Sequence, residues 1–335
     1  MIPAPYLLYL GDAADELSVK TSRGLAVWRP ELCIGEFRRP ECAVTLGLPN
    51  LSFEEAASRG AKTLVLGVAN AGGSLGPHLI EDALAALRAG LNLASGLHER
   101  LHHNREIKAL AEQTGLQLFD VREPPPQLPI GKGRRRPGRR LLTVGTDCSV
   151  GKMYTTLALE RALQARGVAA SFKATGQTGI LIAGDGVPID AVVADFIAGA
   201  AEWIAPARET AGWDLIEGQG SLFHPSFAGV SLGLLHGAQP DALVLCHEPG
   251  RPHMRGLQGR DLPDLRLCLD RNLEAARLTS PDVVAVGVAV NTSSLSRDEA
   301  SAVCQRISDD LGLPCQDPVS MGVDKIVDRL LQCFG

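Results

Sequence analysis

The chain has 335 residues, of which 45% are hydrophobic, and a formal net charge of −5. This length suffices for two domains with separate cores, and the negative charge argues against a nucleic-acid-binding or membrane-surface protein. No apolar run reaches 18 residues, and no basic segment with an apolar signal core opens the chain, so we expect a cytoplasmic protein. The eight cysteines include no C-x-x-C pair, which favours reduced buried thiols over disulfides or a metal site.

The first third of the chain alternates strand and helix patterns. Ser52 and Glu55 have the spacing of a capping box, so a helix begins there and ends near Gly60. Further helices are predicted over residues 79–89 and 105–112, and strands over 7–10, 43–46, 63–68 and 91–94. This βαβ series predicts a Rossmann-like parallel sheet. No G-x-G-x-x-G motif is present, so a dinucleotide is not expected here; Gly72-Gly73 either face a ligand or form a turn.

A segment rich in proline and arginine, residues 122–140, separates this pattern from the next. Three consecutive prolines and a run of basic residues do not form a packed element, so we predict a linker. The division gives a Rossmann-like domain over residues 1–121 and a second domain over 141–335. The arginines of the linker are either part of a solvated tether or an anion-binding arm.

The second domain repeats the alternation. Strands are predicted over residues 141–145, 169–173, 213–217, 242–246 and 283–290, and helices over 152–165, 190–203, 270–278, 297–311 and 323–333. Both halves are therefore α/β, and ligands are expected where the parallel strands end.

A glycine-rich loop lies between the first strand and first helix of this domain. Such a loop, ending in Gly151-Lys152, cradles phosphate groups with backbone N–H groups at a helix N-terminus, and the lysine adds a charge. Met153 stands where a Ser or Thr hydroxyl would bind Mg²⁺, and a thioether is a poor ligand for that ion. The pattern predicts phosphate binding without ordinary Mg-ATP hydrolysis. The predicted ligand-binding residues are Gly145, Thr146, Asp147, Cys148, Ser149, Val150, Gly151, Lys152, Met153 and Tyr154.

Polar residues also follow the other strands, at the edge where the loop lies. Lys173 ends the second strand, and the third is followed by Glu217, Gln219, Ser221 and His224. The fourth is followed by His247, Glu248, Arg251 and Arg255. The basic side chains suit carboxylates or phosphates, whereas Glu217 could hold a cation, act as a base or orient Lys152 or Lys173. The histidines lack metal-site spacing, so no metal is expected.

The segments GTDCSVGKMYTT, KATGQTGILIAGDG, EGQGSLFHP and GLLHGAQPDALVLCHEPGR, with the N-terminal βαβ half, resemble a bacterial family of domains of unknown function. That family combines a Rossmann-like N-terminal domain with a dethiobiotin-synthetase-like P-loop domain. The resemblance implies an N-acetyltransferase that uses acetyl-CoA on D-glutamate in D-amino-acid catabolism. Coenzyme A carries phosphates that need a cradle but no hydrolytic Mg²⁺, in agreement with Met153.

The resemblance leaves the individual roles open. Candidates for the base are Glu217, His224 and Glu248, with His247 also considered, and backbone N–H groups from Gly218 to Ser221 suit the oxyanion. Candidates for substrate binding are Lys173, Gln219, Ser221, His247, Arg251 and Arg255. We expect a small-molecule amino-acid substrate, no nucleic acid or membrane partner, and a homo-oligomer.

Two other functions remain open. One is an ATP-dependent ligase or carboxylase like dethiobiotin synthetase, in which Thr155 or Thr156 supplies the missing hydroxyl. The other is a non-catalytic nucleotide or CoA sensor.

Overall fold

The computed structural model describes residues 2–15, 18–68 and 74–335, and the chain divides into two compact units. The first comprises residues 1–124 and 176–188, and the second comprises 125–175 and 189–335. The first unit thus includes a segment from the later half of the chain, which the predicted division did not anticipate. The predicted domain bounds themselves stay a prediction.

The first unit is built on a parallel sheet, as predicted for a Rossmann-like domain. Its described strands, in the spatial order β2-β1-β3-β4-β5, are β1 (Tyr6–Gly11), β2 (Cys33–Arg38), β3 (Thr63–Leu66), β4 (Asn92–Ser95) and β5 (Leu118–Asp120). Its described helices, labelled in chain order, are α1 (Lys20–Trp28), α2 (Phe53–Ser58), α3 (Pro77–Arg88), α4 (Arg105–Thr114) and α6 (Gln177–Ala183). Fully buried leucines of β1, β3 and β4 form its core with α3 and α4.

The capping box at the start of α2 is confirmed. Ser52 Oγ accepts from Glu55 N at 3.1 Å, and the Glu55 carboxylate accepts from Ser52 N at 2.8 Å. Two of the backbone donors that every helix start leaves unpaired are satisfied in this way.

The strand predicted over residues 43–46 is wrong, and the neighbouring strand β2 was missed. Val44 is buried against Leu10 and Val19, so the apolar pattern reflects packing rather than strand pairing. The N–H of Leu46 donates to the buried Glu36 carboxylate at 2.7 Å instead of to a strand. A fully buried glutamate within β2 disturbs the apolar pattern that identifies strands. The Gly72-Gly73 prediction lies outside the described residues.

The second unit contains a six-stranded parallel sheet among its described residues, in the order β11-β10-β9-β6-β8-β7. The strands are β6 (Arg139–Gly145), β7 (Ala170–Lys173), β8 (Trp213–Ile216), β9 (Ala242–His247), β10 (Val284–Val290) and β11 (Cys315–Gln316). The helices are α5 (Lys152–Ala165), α7 (Ile197–Ile204), α8 (Ala228–Ala238), α9 (Leu265–Arg277), α10 (Arg297–Leu311) and α11 (Asp324–Phe334). All five predicted strands are confirmed, and β11 and α8 were missed.

Two predicted helices differ at their starts. The helix predicted over 190–203 begins only at Ile197, after two short 3₁₀ turns, since aspartates and β-branched valines precede it. The helix predicted over 270–278 begins earlier, at Leu265, because the Asp264 side chain caps it by accepting from Leu267 N at 2.9 Å.

Two arginines of the predicted linker, Arg136 and Arg140, pack against the protein, whereas the other basic residues between 131 and 140 are exposed. The Arg140 side chain is 2% exposed, and its Nε donates to Gln239 O at 3.2 Å. Arg136 Nη2 donates to Gly237 O at 2.7 Å, and burial, aided by the Arg140 charge, lowers the pKa of Arg136 to about 10. Arg140 lies at the amino end of β6, whereas the glycine loop follows its carboxyl end. For these two arginines, both predicted roles are therefore wrong: they form neither a solvated tether nor an anion-binding arm beside the glycine loop.

The position of β6 determines where the functional site lies. β6 is flanked by β8 and β9. The chain continues from β6 to β7 at one edge of the sheet, whereas it continues from β9 to β10 toward the other edge. Open α/β sheets bind ligands at such a switch point. In the part of the chain that the structure describes, no helix is long and apolar enough to span a membrane.

Candidate functional site

The glycine loop connects β6 to α5 in a tight curve. Ser149 and Gly151 have left-handed backbone angles, with φ of 55° and 96°, so the glycine is favoured at residue 151. A Cβ on Gly145 would lie 3.1 Å from Lys152 Nζ and 2.9 Å from a methyl of Val150. Both glycines of the motif therefore have a physical role: one permits the turn, and the other permits close approach of the lysine.

Lys152 reaches back to the loop from the first turn of α5. Its side chain is 7% exposed, and Nζ donates to Asp147 O at 2.8 Å. Burial lowers the pKa of Lys152, and neighbouring acidic groups, Glu217 among them, act in the opposite direction. The lysine stem passes Gly218, where a Cβ would lie 3.0 Å from Lys152 Cδ and 1.7 Å from Thr143 O. Gly218 is thus required for the lysine to reach the loop.

Arg251 braces the loop from the segment after β9. Its Nη1 donates to Asp147 Oδ2 at 2.8 Å and to Cys148 O at 2.7 Å. Its Nη2 donates to Ser149 O at 2.9 Å and to the Glu248 carboxylate. A substrate-binding role for Arg251 stays a prediction, but its donors already serve the loop, which favours a bracing role.

Arg255 contributes to the same brace but leaves its side chain at the surface. Its backbone N–H donates to Asp147 Oδ2 at 2.7 Å, while its exposed guanidinium contacts Ser149 Oγ. Asp147 is fully buried, and Cys148 N donates to its other oxygen at 2.7 Å. Of the two arginines, Arg255 has the guanidinium better placed to meet a ligand from solvent.

Glu217 lies buried beside Lys152. The residue is 4% exposed, and its Oε2 accepts a hydrogen bond from Thr175 N at 2.9 Å. Glu217 is close enough to act electrostatically on Lys152, and its role toward that lysine stays a prediction. Lys173 is directed elsewhere, with its Nζ 3.5 Å from the carboxylate of Asp214, which also pairs with Arg208.

His224 is held by both ring nitrogens. It is 2% exposed, with Nε2 3.1 Å from Arg255 O and Nδ1 accepting from Ser226 N at 3.2 Å. A carbonyl oxygen only accepts, so Nε2 carries the proton and Nδ1 has its lone pair engaged. This arrangement stabilises the loop before α8 and leaves the ring without a free basic nitrogen.

Gln219 and Ser221 also contact the protein's own chain. Gln219 Nε2 donates to Thr175 Oγ1 at 3.2 Å, and Ser221 Oγ donates to Thr146 O at 3.1 Å. These contacts tie the segment after β8 to neighbouring strand ends. Their predicted roles in substrate binding stay predictions.

His247 and Glu248 follow β9 with different environments. His247 Nδ1 lies 3.0 Å from Thr146 Oγ1, and burial lowers the pKa of His247 to about 4, with Arg251 lowering it further and Glu248 opposing. The imidazole is therefore neutral at neutral pH and a weak base. Glu248 is partly exposed and paired with Arg251.

Asp147, Cys148 and His224 place their potential metal-ligand atoms within 4.8 Å of one another. The Asp147 carboxylate already accepts from Arg251 and two backbone N–H groups. Burial raises the pKa of Cys148, against the lowering effect of the cations nearby. The site is thus already occupied by positive groups, which suits an anion rather than a cation.

Thr155 and Thr156, the two candidates to replace the Mg²⁺-binding hydroxyl absent at Met153, direct their hydroxyls to backbone oxygens at the start of α5. Thr155 Oγ1 donates to Gly151 O at 3.0 Å, and Thr156 Oγ1 donates to Lys152 O at 2.8 Å. Thr156 is fully buried and also contacts Thr143 Oγ1 at 3.0 Å. It is therefore unavailable to a metal at the loop, which weakens the Mg-ATP alternative.

Sequence reasoning missed a cavity beside the loop. It has a volume of about 250 Å³ and lies between the start of α5 and the ends of β10 and β11. Asn291 and Asp317 are among its polar lining residues, with Thr155 and Ser293, and Tyr154, Pro318 and Val319 line it as well. Asn291 directly follows β10, so a polar residue at a fifth strand end was the signal that could have revealed it.

Comparison with known proteins gives the same two-part organisation. Residues 129–327 match the family model described as a domain of unknown function, DUF1611_C P-loop domain. Residues 40–124 match the model described as DUF1611_N Rossmann-like domain. The chain belongs to the DUF1611 family. Its fold class, a Rossmann-like sheet unit followed by a P-loop α/β unit, is confirmed by these matches and by the structure.

Relatives of this DUF1611 protein match it over nearly its whole length. A protein of Pseudoalteromonas sp named D-glutamate N-acetyltransferase is 52% identical over 329 residues, covering 98% of this chain and 99% of that protein. A protein of Tritonibacter scottomollicae with the same name is 51% identical over 330 residues, with the same coverage. The crystal structure of a DUF1611 family protein from Anabaena variabilis is 33% identical with a TM-score of 0.87, covering 98% of this chain and 100% of that one.

Proposed function

We propose that this DUF1611 protein is an N-acetyltransferase that moves the acetyl group of acetyl-CoA to the amino group of D-glutamate, in D-amino-acid catabolism. The observation that carries the proposal is 52% identity over 98% of the chain with a protein named for this activity. The glycine loop at Lys152 supports it independently, since a loop of this kind suits a phosphate group and Met153 leaves it without the usual hydroxyl for Mg²⁺.

Coenzyme A fits the charges at the loop. Its diphosphate would lie at the start of α5, where backbone N–H groups and the lysine ammonium converge. Lys152, Arg251 and Arg255 surround the loop, and Arg251 holds it in shape through three hydrogen bonds to Asp147, Cys148 and Ser149. Such preorganisation lowers the cost of binding a charged ligand.

The transfer itself requires the loss of two protons from nitrogen and the cleavage of one thioester. The ammonium of D-glutamate loses a first proton to give the amine, whose nitrogen attacks the acetyl carbon. As the C–N bond forms and the C–S bond breaks, the nitrogen loses a second proton and the CoA thiolate takes up one, so that one proton is released overall. Glu217 is the proposed base, because the structural engagement of both His224 nitrogens and the low pKa of His247 disfavour the histidines.

The oxyanion of the attacked thioester needs N–H donors. Gly218 N already donates to Thr143 Oγ1 at 2.9 Å, so the proposed donors are the backbone N–H groups from Gln219 to Ser221. Arg255, with its exposed guanidinium, is the proposed partner of a substrate carboxylate. A cytoplasmic location and a homo-oligomeric state complete the proposal, the second of which light scattering on the purified protein would test.

One assay tests the function. The purified protein is incubated with acetyl-CoA and D-glutamate in EDTA, and N-acetylglutamate is measured by mass spectrometry together with released CoA thiol. We expect stoichiometric formation of both without metal. ATP turnover that requires substrate and stops with EDTA would favour the ligase instead, and tight CoA binding without turnover would favour a sensor.

A further inference from the structure

The cavity beside the glycine loop continues directly from the phosphate cradle. Val150 and Gly151 belong to the loop and also line the cavity, and Tyr154 and Thr155 extend its wall along the first turn of α5. A ligand whose phosphate lies at the loop therefore has this cavity within reach of its next chemical group. At about 250 Å³ it is smaller than the ~300–1,000 Å³ typical of pockets for whole ligands, so it suits one ring system.

The charge of the cavity excludes a second anionic group. Asp317 lies in its wall, and its carboxylate accepts from Thr292, from Val319 N at 2.8 Å and from Ser320 N at 3.1 Å. Burial acts to raise the pKa of Asp317, but these hydrogen bonds hold it below its ordinary value. A fixed negative charge disfavours a phosphate or a carboxylate of D-glutamate here.

The remaining lining fits a neutral heterocycle. Val290 and Val150 are buried apolar side chains, and Tyr154 offers an aromatic ring. Asn291 Oδ1 accepts from Ser293 N at 3.2 Å, which orients the side-chain amide and leaves its NH₂ group as a donor. An amide in this position can bond to the edge of a purine, whose ring nitrogens are acceptors.

We propose that this cavity binds the adenine ring of acetyl-CoA, with the Asn291 amide on its edge and the diphosphate in the cradle at Lys152. This deepens the proposed function and rests on it for the identity of the donor. Recognition of the acetyl donor then has two parts: the loop binds the charged diphosphate, and the cavity binds the adenine ring.

Two variants test the assignment. Asn291→Ala removes the amide, and Val319→Trp places a large side chain at the rim, where Val319 is 74% exposed, so we expect the fold to tolerate the change. Leu278→Trp is the matched control, because Leu278 is also 74% exposed and does not line the cavity. Steady-state rates are measured with acetyl-CoA and with S-acetylpantetheine, which lacks the adenosine and its phosphates.

We expect Asn291→Ala to raise KM for acetyl-CoA about three- to tenfold, the scale of one hydrogen bond, and Val319→Trp to raise the same KM by obstructing the cavity, while kcat/KM for S-acetylpantetheine is unchanged in both variants. The control should behave as wild type with both donors. Equal effects on both donors, or no effect on either, would overturn the assignment.

Binding of adenosine 3′,5′-bisphosphate, measured by calorimetry, keeps the test independent of turnover. Loss of affinity in the two cavity variants supports the adenine site even if no acetyl transfer occurs, in which case the proposed function alone fails. A parallel titration with ADP identifies an adenine nucleotide other than CoA as the occupant if ADP binds more tightly. Unchanged affinity of both ligands in both variants contradicts the adenine site.

Discussion

Lys152 is the residue on which anion binding at the loop depends most. Its buried ammonium contacts only the backbone oxygen of Asp147 among the hydrogen bonds described, so an arriving phosphate gains a charge-assisted bond. We expect Lys152→Ala to weaken CoA binding by about 1.5–3 kcal/mol, measured by calorimetry. Lys108→Ala, an exposed lysine on α4, is the control and should bind normally. An affinity unchanged by Lys152→Ala would exclude the loop as the donor site.

Glu217 is the residue we expect to remove the substrate proton. Glu217→Gln keeps the size and hydrogen-bonding shape of the side chain but lacks a basic oxygen. We expect kcat to fall roughly a hundredfold or more, with acetyl-CoA affinity little changed, since general-base loss acts on the chemical step. Single-turnover kinetics at saturating donor would measure it.

His224 provides the contrast to Glu217. Because both of its nitrogens bond to the protein, His224→Ala should lower the free energy of unfolding by about 1–3 kcal/mol while the folded fraction keeps near-normal kcat. If Glu217→Gln turned over normally and His224→Ala lost turnover, the base would be the histidine. Normal turnover in both variants would make Glu248 the next candidate for the catalytic base.

The segment after β9 carries two arginines, Arg251 and Arg255, for which we expect different roles. Arg251→Lys loses the forked contacts to Asp147 and to the loop carbonyls, so we expect weaker acetyl-CoA binding with an unchanged preference for D-glutamate over D-alanine. Arg255→Ala should instead reduce that preference, because the second carboxylate loses its partner. Comparing kcat/KM for the two amino acids in each variant measures both effects. Equal kcat/KM for D-glutamate and D-alanine in the wild-type protein would exclude Arg255 as the selective element.

At the scale of the whole molecule, the low pKa of His247 links stability to pH. Its pKa falls from 6.5 in the unfolded chain to about 4 in the folded protein. Between these values the unfolded state binds the extra proton, so stability is complete above about pH 6.5 and is lost as pH falls toward 4. From denaturant unfolding at pH 7.5 and pH 5, we expect wild type to lose roughly 1–3 kcal/mol more than His247→Gln. Identical losses would show that His247 titrates normally.

The sequence by itself determined the α/β class, five of the six described strands of the second sheet and the loop at Gly145–Lys152. These depend on local causes: apolar runs that fill buried parallel strands, glycines where the backbone must turn or be approached, and capping residues such as Ser52 and Ser296. Each cause acts within a few residues, so a single segment reveals it.

Only the tertiary structure decided the roles of individual side chains. The contacts of Arg251 with Asp147, 104 residues earlier in the chain, and of Lys173 with Asp214 become visible only in the fold. Val44 resembled a strand residue until its packing against Leu10 was known. The cavity beside the glycine loop has walls from the loop, α5 and the segments around the ends of β10 and β11, so no one stretch of sequence contains it. A charged or apolar side chain can be stabilised by many different groups, and the local sequence does not show which of them will be near. Only the long-range contacts of the fold determine that partner.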